Sequence, residues 1–290
     1  MIYTTLDTDE KIIQQCRKWE DFPRIAVDFE GEFNLHIYGE HLCLVQIYDG
    51  EGYYIIDPRS GRVSPEGLKV FFSLPTEKLW FDCQGDASLV YKVYGLRINN
   101  IYDVRVLALA LGYTGNLLGL EKAYLGVELE INKKKNQQAN WLKRPIDMEL
   151  MEYALLDVKY LFDLKDVLLP IVVKEGLEAQ VLDQLQKVQN VKEPTPGWKN
   201  ICNWKLLNRR ERVFIRQIFI ARDQIARRFN VPAARVMDKH KIIDLAKNPP
   251  KNKESLRVRI ATEPPRFRAL LLDQVWKAIE TAQSESAKEN

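Results

Sequence analysis

The stretch IAVDFEGE, residues 25–32, decides the fold and the site expected of this chain. Its apolar start, residues 25–27, predicts a buried strand, and two acids follow, Asp28 and Glu30, with one residue between them. Because alternate residues of a strand point to the same face, both carboxylates should project together. Adjacent carboxylates repel unless a cation lies between them, and a divalent metal ion does this best. The stretch therefore predicts a strand that carries two ligands of a metal site.

The composition is that of a globular protein in a reducing compartment. Of the 290 residues 46% are apolar, which is ample for a core, and no apolar run reaches the roughly 18 residues that cross a membrane. The N-terminus shows no basic segment leading into an apolar one, so no signal peptide is expected. The four cysteines form no CxxC pair and there are only three histidines. We therefore expect a cytoplasmic protein without membrane association, whose chemistry is carried by acids.

The net charge of +3 conceals an asymmetry along the chain. Residues 198–290 hold 21 Lys and Arg against 10 Asp and Glu, a net charge of +11. Residues 1–197 hold 22 basic and 30 acidic residues, a net charge of −8. An acidic body followed by a basic segment indicates a catalytic part joined to a polyanion-binding module, and drift in surface charge is the alternative.

Strand and helix patterns alternate in the first two thirds of the chain, which predicts an α/β three-layer arrangement. Beyond a linker at residues 191–200, rich in proline, the patterns are helical only. One long helix is predicted from Pro145 to just before Pro170, because proline begins helices well and interrupts them elsewhere. The predicted strands include 25–31, 41–48, 52–57 and 78–81, and the predicted late helices are 209–229, 239–247, 252–259 and 266–283.

Further acids occur where a metal site could use them. Tyr153 and Asp157, in MEYALLDVKYL, are four residues apart and share one helical face. Asp86 begins a helix just after a predicted strand, near the sheet edge where α/β sites form, although acids also favour helix N-termini for structural reasons. Asp82 lies at the same edge, and Asp103 is in place to cap a helix.

Four carboxylates and a tyrosine can hold two divalent ions about 3.5–4 Å apart, an arrangement suited to in-line attack on a phosphodiester. An all-oxygen set without histidine favours Mg²⁺ or Mn²⁺. Each acid taken alone could instead be a helix cap or a solvent-facing residue. This alternative weakens when the acids are considered together.

These motifs, in this order, resemble those of ribonuclease D and its relatives, the tyrosine-bearing (DEDDy) branch of the DEDD 3′–5′ exonucleases. The resemblance covers residues 20–170. Five segments carry it: AVDFEGE, QGDASLV, the helix start IYDVRVLALALGY, WLKRPI and YALLD. It implies a ribonuclease H-like three-layer fold with a mixed sheet, and a two-metal hydrolase that releases nucleoside 5′-monophosphates from a single-stranded 3′ end.

By the same resemblance, each motif residue has an implied role. Asp28 would bridge both ions, and Glu30 and Asp157 would complete the shell of one of them. Asp86 would hold the other ion, and Tyr153, with Glu30, would orient the attacking water.

The basic C-terminal segment resembles an HRDC domain, a small all-α module that implies auxiliary nucleic-acid binding. The division expected is an exonuclease domain at 1–190, a linker at 191–200 and an HRDC-like domain at 201–284. Candidate contacts to nucleic acid are Lys133, Arg144, Arg209, Arg210, Arg227, Arg228 and Lys251, each of which could equally be a solvated surface residue.

The sequence departs from the family pattern at several positions. Phe29 stands where threonine is common, Asp82 stands where many relatives have histidine, and there is room for one HRDC-like module instead of two. The motifs do not distinguish an exoribonuclease from an exonuclease acting on DNA. A non-catalytic binding protein is disfavoured, because all four carboxylates and the tyrosine are present.

Overall fold

The computed structural model describes residues 1–128 and 139–288. The chain divides into two compact units. The first comprises Met1–Glu32 and Glu40–Lys192, and the second comprises Phe33–Gly39 and Glu193–Asn290. The helices of the described residues include none that is both long and apolar enough to cross a membrane.

A six-stranded mixed sheet organises the first unit. Its spatial order is β1-β4-β3-β2-β5-β6, in which β3 and β4 are antiparallel while β1–β4, β2–β5 and β5–β6 pair in parallel. The predicted α/β fold with a mixed sheet is confirmed, although β1 was not predicted. The strands are β1 (Tyr3–Leu6), β2 (Arg24–Phe33), β3 (Glu40–Tyr48), β4 (Tyr53–Ile56), β5 (Glu77–Trp80) and β6 (Ile101–Asp103).

Eight described α-helices belong to this unit. The prediction of one long helix ending before Pro170 is wrong: the segment forms two helices that break at Tyr160, and Pro170 lies inside the second. The buried side chains of Leu164, Leu168 and Val172 outweigh the hydrogen bond that proline removes. The helices are α1 (Asp9–Trp19), α2 (Pro65–Phe72), α3 (Gln84–Tyr94), α4 (Val104–Ala110), α5 (Leu117–Leu125), α6 (Met148–Lys159), α7 (Leu161–Lys174) and α8 (Glu178–Gln189).

The two faces of β2 enter different parts of the core. Ile25, Val27 and Phe29 belong to a cluster with residues of α1, α2 and α3, whereas Ala26 belongs to a cluster with residues of α4, α5 and α7. This is the period-two alternation expected of a central strand. Asp28 therefore follows Ala26 onto the second face, as the sequence predicts.

From residue 193 on, the regular elements among the described residues of the second unit are helices, as predicted. A capping box of Asn208 and Glu211 begins the first of its α-helices, and Asn230, in the left-handed region, ends it. The last helix continues beyond the predicted end at residue 283, to Lys288. The α-helices are α9 (Arg209–Phe229), α10 (Lys239–Lys247), α11 (Lys253–Arg259) and α12 (Pro265–Lys288), and three short 3₁₀ segments are Gly197–Lys199, Trp204–Leu206 and Ala233–Arg235.

Candidate active site

Three carboxylates meet at one point of the first unit. Oxygen atoms of Asp28, Glu30 and Asp157 all lie within 4.8 Å of one another. They line a cavity of about 500 Å³ together with Asp86 and Tyr153. The structure thus brings together all five residues that the sequence selected as catalytic candidates. Glu32, further along β2, is buried, with only 2% of its surface exposed.

Helix α6 supplies Asp157 and Tyr153 from one face. Ala154 and Leu155, between them, are fully buried in a cluster with Cys43, Leu44 and other residues of the sheet. This packing fixes the rotation of the helix, so that the face bearing Tyr153 and Asp157 is turned toward the acids of β2. The ring centroid of Trp141 lies 6.5 Å from that of Tyr153, and both residues belong to this cluster.

Asp86 is held by a tryptophan. The indole Nε1–H of Trp80, at the end of β5, donates a hydrogen bond of 2.9 Å to Oδ2 of Asp86 in the first turn of α3. Trp80 is itself fully buried and packs edge-on against Phe29, with 4.7 Å between the ring centroids. One oxygen of Asp86 is therefore fixed by the core. No sequence pattern predicts this bond, because nothing in the motif marks Trp80.

The acids raise one another's pKa. Burial, followed by the charges of Asp86, Asp157 and Glu30, raises the pKa of Asp28 well above its usual value. Burial and the charge of Asp157 do the same to the pKa of Glu30. Burial raises the pKa of Asp86 to about 7, against the opposing effect of the Trp80 hydrogen bond. The cluster is consequently short of positive charge.

This donor set fits a divalent cation. Three carboxylate oxygens within 4.8 Å match the span of an octahedral shell whose metal–oxygen bonds are about 2.0–2.1 Å long. The positive charge of an ion would reverse the pKa shifts that mutual repulsion produces. The pKa of the Tyr153 hydroxyl is raised by burial and then by the charge of Asp157, so the hydroxyl stays protonated and can donate.

Asp103 fixes the turn that leads to Asp86. Its carboxylate accepts from the backbone N–H of Arg105 at 3.0 Å, which confirms the predicted helix cap. It also accepts from the backbone N–H groups of Asp82 at 2.9 Å and Cys83 at 3.1 Å. Asp82 has a φ of +66°, a left-handed conformation that this clamp stabilises. The sequence predicts only the helix cap by Asp103 and not its hydrogen bonds to the backbone of Asp82 and Cys83.

Arg144 has a structural role that conflicts with its predicted contact to nucleic acid. Its Nε and Nη2 donate to the two oxygens of Asp57, at 2.7 Å each. Its remaining donors reach the carbonyl oxygens of Cys43, Trp141 and Lys143. All five N–H groups of the guanidinium are thereby used. Lys133, the other candidate of the first unit, lies outside the described residues.

The predicted contacts of the second unit lie on exposed positions. Arg227 is engaged by the hydroxyl of Tyr38, which accepts from its Nε at 3.4 Å. Arg210 and Arg228 lie over the rings of Phe214 and Phe229. The exposed residues are Arg209, Arg210, Arg227, Arg228 and Lys251.

Comparisons with known proteins agree with the fold. The family model described as 3′-5′ exonuclease matches residues 3–172, and that described as HRDC domain matches residues 211–258. The chain is 27% identical to Ribonuclease D of Sphingobium indicum over 266 residues, which are 87% of this chain and 66% of that protein. It is 29% identical to Ribonuclease D of Escherichia coli, over 72% of this chain and 56% of that protein.

The solved structure of Escherichia coli RNase D, described as an exoribonuclease involved in structured RNA processing, has the same fold. It superimposes with a TM-score of 0.78 at 24% identity, covering 98% of this chain and 76% of that one. The fold and the acid cluster together have the form of a DEDD-type nuclease domain. The chain belongs to the 3′–5′ exonuclease family. It spans between about half and two thirds of the length of the two curated relatives named above.

Proposed function

We propose that the protein is a 3′–5′ exoribonuclease that removes nucleoside 5′-monophosphates from single-stranded RNA ends. The single observation that carries this proposal is the cluster of Asp28, Glu30 and Asp157, whose oxygens lie within 4.8 Å of one another in the cavity that Asp86 and Tyr153 also line. The names of the relatives, Ribonuclease D, support RNA as the substrate.

Each residue of the cluster has a task in this proposal. Asp28, Glu30, Asp86 and Asp157 would hold two divalent ions, Mg²⁺ or Mn²⁺, and Asp28 would serve both. Bound there, such ions activate a water molecule as the nucleophile and stabilise the leaving oxygen. The protonated hydroxyl of Tyr153 donates a hydrogen bond that orients this water, and Glu30 accepts from it. Trp80 keeps one oxygen of Asp86 in place.

The second unit has the charge of a nucleic-acid-binding module. Residues 198–290 carry a net charge of +11, and phosphate contacts depend on such charge. We propose Arg209, Arg210, Arg228 and Lys251 as contacts, with Arg227 contributing beside Tyr38. The division into an exonuclease domain at 1–190, a linker at 191–200 and an HRDC-like domain at 201–284 belongs to the same proposal.

The test is digestion of matched RNA and DNA oligonucleotides, each labelled at its 5′ end, in Mn²⁺ and in EDTA. We expect a ladder that shortens from the 3′ end of the RNA in Mn²⁺, and an intact substrate in EDTA. Asp28→Asn should abolish the ladder, whereas Asp21→Asn, at an exposed acid outside the cavity, should not change it.

Other outcomes separate the alternatives. Faster digestion of the DNA would assign the activity to DNA ends, and digestion in EDTA would rule out the metal mechanism. Binding of RNA without turnover, in Mg²⁺ as well as in Mn²⁺, would indicate a non-catalytic binding protein.

A further inference from the structure

One cation stands in the wall of an otherwise acidic cavity. Among the described residues that line the active-site cavity, Arg105 is the only basic one. An RNA phosphodiester is an anion and must enter this cavity to be cut. Two divalent ions would offset the four acids of the cluster, but the fifth acid, Asp82, needs another counter-ion. The acids of the lining are Asp28, Glu30, Asp82, Asp86 and Asp157.

Asp82 and Arg105 form an ion pair in this wall. Nη1 of Arg105 donates to Oδ2 of Asp82, and the side chains keep 34% and 53% of their surfaces exposed. The guanidinium carbon of Arg105 also lies 6.0 Å from the ring centroid of Phe81, which lines the same cavity. Asp82 is the one hydrogen-bonding partner that the described residues give to this guanidinium, so donors remain for a ligand.

The backbone on both sides of the pair is fixed. The carboxylate of Asp103 accepts hydrogen bonds from the backbone N–H groups of Asp82, Cys83 and Arg105. The backbone of both residues of the pair is therefore held by one side chain. The turn continues directly into α3 and Asp86. A guanidinium held beside a metal-binding cluster, with donors facing a cavity, is in the position to bind a phosphate oxygen.

We propose that Arg105 binds a non-bridging phosphate oxygen of the RNA strand in the active-site cavity, with Asp82 as a counter-ion that restrains it. The inference rests on the proposed function, since it takes RNA as the substrate. The pair itself carries no net charge before RNA binds. When the phosphate arrives, it competes with Asp82 for the guanidinium, so Asp82 moderates the affinity.

The two partners therefore predict effects of opposite sign. Arg105→Gln removes the contact and should weaken RNA binding about 10-fold, since hydrogen bonds to charged groups are among the strong ones. Asp82→Asn removes the competitor and should strengthen binding by about 2-fold to 5-fold. Asparagine tolerates the left-handed region well, so the backbone at φ +66° is kept. Arg105→Lys keeps the charge and should recover part of the affinity.

The experiment measures the affinity for a single-stranded RNA by fluorescence anisotropy, in Mg²⁺, with Asp157→Asn present throughout to prevent cleavage. A salt series adds a second readout, because the loss of one phosphate contact on a single strand should flatten the slope of log affinity against log salt by about 0.7. Thermal melting of each variant shows whether it is folded. Weakening by both Arg105→Gln and Asp82→Asn would mean that the pair only braces the turn, and would overturn the proposal.

RNA with a single neutral methylphosphonate linkage identifies the phosphate. At the contacted linkage, the neutral substitution should weaken binding to the parent protein about 10-fold and leave binding to the Arg105→Gln variant unchanged. Equal losses in both proteins at every linkage would overturn the proposal. Since these measurements concern binding alone, the absence of hydrolysis by the unaltered protein would count against the proposed function without deciding this inference.

Discussion

A charged side chain lies near each end of strand β5, and the surroundings of the two charges differ. At its start, Lys78 is fully buried, and its Nζ donates to the carbonyl oxygens of Leu74 at 2.7 Å, Thr76 at 3.2 Å and Asn99 at 3.0 Å. Beyond its end, in the first turn of α3, burial and then the charges of neighbouring carboxylates raise the pKa of Asp86. Both places are inside the same unit.

The difference separates a structural charge from a functional one. All three hydrogens of the Lys78 ammonium have carbonyl partners within the protein, so the group joins the segment at residues 74–76 to Asn99. The carboxylates of Asp28, Glu30 and Asp86 are brought together against their mutual repulsion. A bound cation would offset this repulsion. A cluster of charges that lacks a counter-charge within the protein is the pattern expected of an active site.

The first prediction removes the satisfied charge. Lys78→Met should lower the free energy of unfolding by about 3 kcal/mol or more, because it leaves three carbonyl groups, two of them in buried hydrogen bonds, without their donor. Urea denaturation measures this loss. Lys92→Met, at an exposed lysine paired with Glu40, is the matched control and should change stability by less than about 1 kcal/mol. A loss at Lys78 no larger than the control's would remove the contrast drawn between the two ends of β5.

The second prediction concerns pH. The pKa of Asp86 is raised to about 7 in the folded protein, so between about pH 4 and 7 the folded state binds more protons than the unfolded one. The free energy of unfolding of the metal-free protein should therefore fall as the pH rises through this window, by on the order of 2 kcal/mol. Urea denaturation in EDTA at several pH values measures the slope, which Asp86→Asn should reduce.

The lysine should give the opposite slope at higher pH. Burial lowers the pKa of Lys78 to about 8, so above that pH the unfolded state binds more protons, up to the unfolded pKa near 10.5. The free energy of unfolding contributed by this group should rise with pH in that window. A flat profile in both windows would show that neither charge is perturbed by its surroundings.

The third prediction tests the support of Asp86. Trp80→Phe removes the indole donor, which should raise the pKa of Asp86 further and weaken Mn²⁺ binding about 10-fold. Trp19→Phe is the matched control. Trp19 is also fully buried, and its Nε1–H donates to Asp49 at the same distance, 2.9 Å. Titration of Mn²⁺ followed by electron paramagnetic resonance should show a loss for Trp80 alone. Equal losses in both variants would indicate a general effect of core packing.

The fourth prediction has the smallest expected effect. Asp28→Asn should raise the free energy of unfolding of the metal-free protein by about 1 kcal/mol, because it removes one of the repelling charges. Asp21→Asn, at an exposed acid, should leave stability unchanged within about 0.5 kcal/mol. Thermal unfolding in EDTA measures both. Destabilisation by Asp28→Asn would mean that favourable contacts within the protein already stabilise the aspartate, so that its charge needs no bound cation.

The contrast between the two ends of β5 also explains what the sequence could predict. Asp28 and Glu30 could be paired from the period of a strand, and Tyr153 and Asp157 from the period of a helix, because both pairs depend on local geometry. The lysine gave no such signal, since its partners are carbonyl groups from residues up to 21 positions away.

The remaining differences have the same origin in tertiary packing. The hydrogen bond from Trp80 to Asp86 and the fork between Arg144 and Asp57 join elements that no sequence period relates. Pro170 inside α7 contradicts local propensity, because the helix is stabilised by what it buries. Local patterns therefore found the acids of the site, and the groups that hold them in place required the structure.

The most direct test of the central claim is a calorimetric titration of Mn²⁺ into the unaltered protein and into Asp28→Asn. If Asp28 is shared by two ions in a cluster short of positive charge, the unaltered protein should bind two ions per chain, and Asp28→Asn should lose at least one of them. No binding by the unaltered protein, or the same two-ion isotherm for both proteins, would contradict the account.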